Sequence, residues 1–400
     1  MSEALRGETA ARRERLQQEL VRHGLSGCLV TQNVGIYYWT GSMQTGYLFV
    51  PASGEATYYV RRSVVRAQAE STVRTVELGS FRGFGAKLAE DYPACFRFGT
   101  RAVLGADLDV MPAQLYLRLR ELLQNAELTD ASALLRRVRS VKSPGEADAI
   151  RKAAQVAAVA LDEGLRQLRE GMTELELMTV IEHEMRKQGH VGLMRMRGYN
   201  QEIMIGMIAA GAAAAEPSYF DGPAGGRGLT AAAPQSASTR PIGRNEPILI
   251  DIGCCIDGYV IDQTRTAVIG TLPPELARAY EVSVEILRRT ERDLRPSISP
   301  EQLYAQALEM AEQAGLARHF MGYGADQVRF LGHGIGLEID EWPVLAKGFA
   351  DPLEPGMVLA VEPKFTFPGL GVVGIENTYL IRESDCESLT VSPEKLFVLP

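Results

Sequence analysis

The stretch 247–270, PILIDIGCCIDGYVIDQTRTAVIG, reads as two apolar strands folded about Asp257-Gly258. That dipeptide is favoured in two-residue hairpin turns because both of its positions adopt positive φ readily. A turn there pairs Ile256 with Tyr259, Gly253 with Asp262 and Asp251 with Thr264. Side chains alternate across a strand, so Asp251 and Asp262 share one face as diagonal neighbours, with Cα atoms ~7 to 8 Å apart. Two carboxylates on a face built for burial repel each other and shift their pKa values unless something positive neutralises them. A pair of divalent cations does so.

Further ligand candidates lie downstream: His333 in GHGIGLEIDEWP (332–343), Glu362 in AVEPKF (360–365) and Glu376 in GIENTYLI (374–381). Each sits in an apolar or glycine-bounded segment, where an unpaired ionised group is costly. Taken singly, each has an ordinary alternative: a salt-bridged strand aspartate, an uninformative Glu-Pro, a histidine satisfied in a turn. The ordered set Asp251, Asp262, His333, Glu362 and Glu376 is far more specific. It is rich in hard oxygen donors and suits Mn²⁺, Fe²⁺, Co²⁺ or Zn²⁺ rather than a thiolate-loving ion. Asp257 and Glu338 are read as turn and surface residues.

Composition narrows the class. The chain has 400 residues, 46% hydrophobic and 23% charged, and a formal net charge of -8. Its length calls for two domains, and its acidity argues against nucleic acid, whose non-specific binding needs a basic patch. The polar opening MSEALRGETAARRERLQQEL lacks the apolar core of a signal peptide, and no run of ~18 apolar residues occurs. No membrane partner and a cytoplasmic location are therefore expected. The five cysteines form no CxxC motif, and the vicinal pair Cys254-Cys255 is read as buried thiols.

Residues 12 to 80 alternate a polar helix, a short strand GCLVT, an aromatic segment GIYYWTG and further strands, the pattern of a small α/β domain. Ser143, Pro144 and Glu146 then supply an N-cap, a first-turn proline and a capping-box glutamate. The boundary is placed there, giving domains 1–137 and 138–400. The second domain carries a weak repeat. Capping boxes at Thr173/Glu176 and Ser299/Gln302 each open a helix closed sixteen residues later by Gly189 or Gly315, and each is preceded by another helix, roughly 145 to 169 and 274 to 294. Two helix pairs followed by strands imply a duplicated α+β unit, with a shared site on the sheet between its halves.

The ordered pattern Asp251, Asp262 (DQTRT), His333 (GHGIG), Glu362 (EPKF) and Glu376 (GIENT) resembles the metal site of the pita-bread metallopeptidases, above all the Xaa-Pro aminopeptidase and prolidase branch. Residues 1 to 137 resemble that branch's creatinase-like N-terminal domain. The resemblance implies an α/β creatinase-like N-terminal domain followed by a duplicated α+β pita-bread catalytic domain. It implies a homodimer, a small peptide or small-molecule substrate, and two divalent metal ions, manganese first. A hydroxide held between the ions would attack the peptide carbonyl while Glu362 accepts its proton.

One departure is plain. In these peptidases a histidine stands at the position of Asp340, and another lies in the first half of the catalytic domain, whereas no histidine occurs here between His190 and His319. The segment 209–228, AAGAAAAEPSYFDGPAGGRG, lacks the lysine of a phosphate loop and is read as lining the substrate site, with a plain surface loop as the alternative. An imidazole can donate to a developing oxyanion and a carboxylate only accepts. Asp340 could then be a protonated donor, a binder of a cationic substrate group, or a general base in another chemistry. Dimethylsulfoniopropionate lyases of this fold, with an aspartate followed by Glu-Trp-Pro, offer a parallel for the last. The leading expectation is an Xaa-Pro hydrolase with Glu362 and Asp340 catalytic. The alternatives are a same-fold metal enzyme for a small non-peptide substrate and a non-catalytic binding protein.

Overall fold

A computed structural model describes residues 3–96 and 101–400. The chain divides into two compact units, Met1–Arg139 and Ser140–Pro400. In the first, six strands form one mixed sheet: β1 (Gly27–Val30), β2 (Gly46–Pro51), β3 (Thr57–Val60), β4 (Arg74–Glu77), β5 (Ala102–Ala106) and β6 (Ala126–Asp130), in the order β4-β3-β2-β1-β5-β6. Its core gathers Leu29, Phe49, Tyr59, Phe84, Leu104 and Leu119. The aromatic segment expected between strands is a helix, Asn33–Thr40, ended by Gly41 at φ 79°. Tyr38 and Trp39 are almost fully buried on it. Tertiary packing overrides the strand preference of these residues.

The second unit begins at the expected cap. Ser143 accepts from the Glu146 N–H while Glu146 accepts from the Ser143 N–H, and the helix runs Pro144–Gln167. The next helix, Glu174–Lys187, opens on the Thr173/Glu176 box. Gly164 allows the two to touch, since a Cβ there would stand 2.6 Å from Ile181 Cγ1. The second pair, Pro274–Asp293 and Pro300–Gln313, repeats the arrangement, its second helix opening on the Ser299/Gln302 box. Gly189 and Gly315 follow at φ 100° and 74°, a conformation that favours glycine.

Two sheets accompany the pairs. The first contains β7 (Gly206–Ala210), β8 (Ile248–Ile256) and β9 (Tyr259–Ile269). The second contains β10 (Phe330–Gly334), β11 (Glu341–Ala346), β12 (Val358–Val361), β15 (Asn377–Ile381) and β16 (Cys386–Ser388). Between β12 and β15 the chain makes a ribbon of β13 (Lys364–Phe367) and β14 (Gly371–Gly374), and β17 (Phe397–Leu399) joins β9 as a parallel edge. The sheets meet where the Glu376 N–H donates to the Thr264 carbonyl at 3.1 Å. Leu331, Leu359, Val361, Phe365, Ile375 and Tyr379 pack beneath this junction with the second helix pair, and burying a side chain of this kind stabilises by about 1.5 to 3 kcal/mol. No helix among the described residues is long and apolar enough to cross a membrane.

Candidate metal centre

The hairpin sets the first two carboxylates. Its register is Ile256 opposite Tyr259, Gly253 opposite Asp262 and Asp251 opposite Thr264. Asp257 and Gly258 form the turn at φ 52° and 89°, the positive values that a type I′ turn requires. Asp251 and Asp262 therefore reach the same cleft. His333 comes from β10, where it lies opposite Ala360 of β12. Glu362 follows β12 directly, and Glu376 immediately precedes β15.

Glu376 is fixed by its neighbour across the junction. The buried Arg265 guanidinium donates to the carbonyls of Thr264 (2.8 Å), Glu376 (2.7 Å), Ser392 (2.8 Å) and Pro393 (2.9 Å), and to Asn377 Oδ1 (2.8 Å). All five N–H donors of an arginine are thereby used, and they tie β9 to the segment that carries Glu376. In DQTRT the arginine stands three residues after the aspartate, and nothing local signals that it forms this clamp.

One ligand atom each from Asp262, His333 and Glu376 can be chosen so that all three lie within 4.8 Å of one another. His333 Nδ1 lies 3.1 Å from the Gly334 carbonyl oxygen. A carbonyl only accepts, so Nδ1 carries the hydrogen and Nε2 turns its lone pair to the cleft, the arrangement of a metal-ligating histidine. Glu376 is divided between its two oxygens. Oε2 accepts from Thr264 Oγ1 at 2.7 Å and from Lys364 Nζ at 3.2 Å, whereas Oε1 is buried with no hydrogen-bond partner. An orphaned anionic oxygen in such a place is strongly disfavoured unless a cation meets it. The donor set of two carboxylates and one imidazole fits a single divalent ion well.

The other two expected ligands are differently engaged. Lys364 Nζ lies 2.6 Å from Glu362 Oε2 and 3.1 Å from Asp251 Oδ2, in addition to its contact with Glu376. The lysine is 0% exposed. The pair of ions expected from the sequence thus meets an ammonium group already seated among three of the five ligands. The signal for it was in AVEPKF: two residues beyond Glu362, position 364 can face the same way as the glutamate.

These charges perturb one another. Burial holds the Asp251 carboxyl above its usual range, with Lys364 opposing and Glu376 adding to the effect. Asp262 is pushed well above the usual range, by burial first and then by Glu376 and Asp251. Burial by itself would lower His333, but Asp340, Glu362, Glu376 and the Gly334 carbonyl together raise it. Lys364 is held well above its usual value: burial opposes the charge, and the carboxylates of Asp251, Glu362 and Glu376 outweigh it.

The cleft above has an empty volume of about 710 Å³ including its open mouth. Phe220 to Gly225 line it, so part of the glycine- and alanine-rich segment does face the site, and Ile203, Phe330 and Ile339 supply apolar walls. Asp340 stands at the mouth with 44% of its side chain exposed and Oδ1 3.5 Å from His333 Nδ1. The loop bearing it is shaped by Glu341, whose Oε1 accepts from the Leu337 and Glu338 N–H groups at 2.9 and 3.3 Å, while Oε2 meets the buried Lys142 at 3.1 Å. Glu338, expected at the surface, is 1% exposed with Arg197 at 3.7 Å. The tight turn around Gly336 draws it inward. Among the described residues His333 is the only histidine lining this cleft. His190 accepts from the Cys255 N–H at 2.9 Å, and His319 stacks on Phe367. Cys254 and Cys255 are free and buried, their thiols pushed up to about 12 and about 11 chiefly by burial.

Residues 148–383 match the metallopeptidase family M24, and residues 12–141 match the creatinase/prolidase N-terminal domain. The chain belongs to the metallopeptidase family M24. It is 27% identical over 387 residues to an Xaa-Pro dipeptidase of Pyrococcus furiosus, covering 96% of this chain and 99% of the relative. The crystal structure of dipeptidase PepE from Mycobacterium ulcerans is similar with a TM-score of 0.81 at 26% identity, over 99% of both chains. That of an Xaa-Pro dipeptidase from Bacillus anthracis matches with a TM-score of 0.82 at 25% identity, over 98% of this chain and 100% of the other. The fold is accordingly a creatinase-like N-terminal domain followed along the chain by an M24 pita-bread domain. Membership places the chain among peptide hydrolases that depend on divalent metal ions.

Proposed function

We propose that this chain hydrolyses Xaa-Pro dipeptides with the help of a divalent cation held by Asp262, His333 and Glu376, manganese being the first ion to test and iron, cobalt and zinc the alternatives. The observation that carries the reading is the convergence of these three side chains at the floor of a cleft, in a chain related over nearly its whole length to an Xaa-Pro dipeptidase. When bound, the cation supplies a Lewis acid that polarises the scissile carbonyl and eases deprotonation of water.

The chain's own residues do the rest. Glu362 takes the proton of the attacking water. Lys364 holds Glu362 Oε2, leaving Oε1, 3.6 Å from His333 Nε2, as the working oxygen. Asp340 offers acceptor oxygens to the α-ammonium of a dipeptide, the role among its three that its half-exposed position at the mouth favours. Phe220, Pro223, Phe330 and Ile339 enclose the substrate and limit water around the reacting bond. We read the protein as a homodimer, which the family resemblance supports and sedimentation tests, and as cytoplasmic, which fractionation tests.

The deciding assay strips the protein with a chelator, reloads it with each of the four ions, and presents Xaa-Pro dipeptides, longer Xaa-Pro peptides and small non-peptide zwitterions. The expected result is loss of dipeptide cleavage on chelation and its return with Mn²⁺. Metal-loaded protein that leaves every peptide intact overturns the proposal, and turnover of a zwitterion in the same assay moves the chemistry to the small-molecule alternative.

A further inference from the structure

We infer that Lys364 takes the place of the second metal ion, so that the site holds one divalent cation and one fixed ammonium group. This deepens the metal-dependent reading above and rests on it. Lys364 Nζ has three N–H donors, and three carboxylates stand at hydrogen-bond distance: Glu362 (2.6 Å), Asp251 (3.1 Å) and Glu376 (3.2 Å). They arrive from β8, from the end of β12 and from the start of β15, so the ammonium joins both sheets as a bridging ion would. Every donor has a partner, and the group is wholly buried.

The fold provides a path for the lysine stem. Its stem starts in β13 opposite Gly374 of β14, and a Cβ on that glycine would lie 2.6 Å from Lys364 Cγ and 2.8 Å from the Pro363 carbonyl oxygen. The glycine leaves space for the stem to pass across the ribbon. A second divalent ion bound to Asp251 and Glu362 would sit ~2 to 2.6 Å from their oxygens. The ammonium already contacts those same oxygens, so two positive centres would crowd together in a site shielded from water, where like charges repel strongly.

Formal charge agrees. Asp251, Asp262, Glu362 and Glu376 bring four negative charges. Lys364 and one divalent ion bring three positive charges and nearly balance them, whereas Lys364 and two divalent ions would bring five and exceed them. Glu376 displays the division of labour: its Oε2 is spent on Lys364 and Thr264, while its buried Oε1 has no hydrogen-bond partner and is left for the cation. Lys364 is a positioning residue. It holds the Asp251 and Glu362 carboxyl groups in place without a second ion.

The test counts ions rather than turnover. Apo wild type and Lys364→Gly are titrated with Mn²⁺ by calorimetry, and the loaded proteins are measured by elemental analysis and electron paramagnetic resonance. The expected result is one ion per chain with the six-line spectrum of isolated Mn²⁺ in wild type, and two ions per chain with an exchange-coupled spectrum in Lys364→Gly. Lys364→Met, which keeps the stem and removes the charge, replaces the glycine variant if circular dichroism shows that one to be unfolded, with the same rise in stoichiometry expected. Two coupled ions in wild type overturn the inference while leaving the metal-dependent reading intact. One ion in both wild type and the variants also overturns it, because the lysine then excludes nothing. No ion in wild type overturns the metal-dependent reading itself, and the inference with it.

Discussion

At the scale of single residues, the proposed site separates groups that would hold the cation from groups that would prepare it. Asp262→Asn and Glu376→Gln each remove a charge from the three-ligand cluster, so each is expected to weaken Mn²⁺ binding by at least the ~10- to 100-fold typical even for supporting contacts. Asp257→Asn serves as the control: it keeps a residue tolerant of positive φ at the turn and should leave metal content unchanged. Elemental analysis of dialysed proteins checks both, and equal metal in all four proteins refutes the ligand assignment. Asp340 makes a different kind of contribution. Asp340→Ala should raise KM for Xaa-Pro dipeptides about 10-fold or more with a smaller change in kcat, leave metal content intact, and leave affinity for an N-acetylated substrate unaffected. Steady-state kinetics with the two substrate types shows whether Asp340 meets the α-ammonium.

Much of this site was legible residue by residue, and the part that was not has a physical cause. Asp251, Asp262, His333, Glu362 and Glu376 all line one cleft because strand alternation and a Gly-bounded histidine are local signals. The partition of these residues between a cation and an ammonium was hidden. Lys364 lies beside Glu362 in sequence, but its other partners, Asp251 and Glu376, belong to strands that only tertiary folding brings together. Glu338 was misread for a related reason: nothing local indicates that the loop turns it toward Arg197.

At the scale of elements, the hairpin and the helix starts were readable because each is fixed by a short-range rule. Asp-Gly favours a I′ turn and thereby sets the register of β8 and β9, while serine or threonine three residues before glutamate or glutamine sets a cap. The junction between the two sheets was not readable, since it depends on Arg265 reaching four carbonyls and one amide at once. Arg265→Lys retains the charge but has three donors on one atom instead of a planar fork of five. At least two buried acceptors then lose their partner, so the unit should lose about 3 kcal/mol. The Mn²⁺ affinity should fall with it, because the Glu376 carbonyl is one of the acceptors. Urea unfolding of the apoprotein and calorimetric titration measure the two effects, and unchanged affinity in a destabilised variant would confine Arg265 to a structural role.

At the scale of the whole molecule, the buried cluster makes stability depend on pH and on metal together. Asp251 and Asp262 have raised pKa values in the folded state, so folding favours their protonated forms. Their contribution is complete below the ordinary carboxylate range and is lost as pH rises through the folded values. His333 is raised above its ordinary 6.5, so its contribution is complete below that value and is lost as pH rises past the folded one. All three act in the same direction, and the apoprotein should lose stability as pH rises above the ordinary carboxylate value of 3.8 and on past 6.5. A divalent ion binds the deprotonated groups, so its stabilisation grows over the same interval. At free Mn²⁺ 100-fold above Kd the gain is about 2.7 kcal/mol, which for a unit of this size corresponds to a Tm rise of roughly 5 to 10 °C. Thermal scans of apo and Mn²⁺-loaded protein should therefore diverge as pH increases, with the gap narrow near the ordinary carboxylate value of 3.8 and wider above 6.5. The Asp262→Asn protein should show a smaller gap throughout, since it lacks both a raised carboxylate and a ligand. Apo and loaded curves that run parallel across this range would mean that the cation is not bound by the titrating cluster, and that the orphaned oxygen of Glu376 is satisfied in some other way.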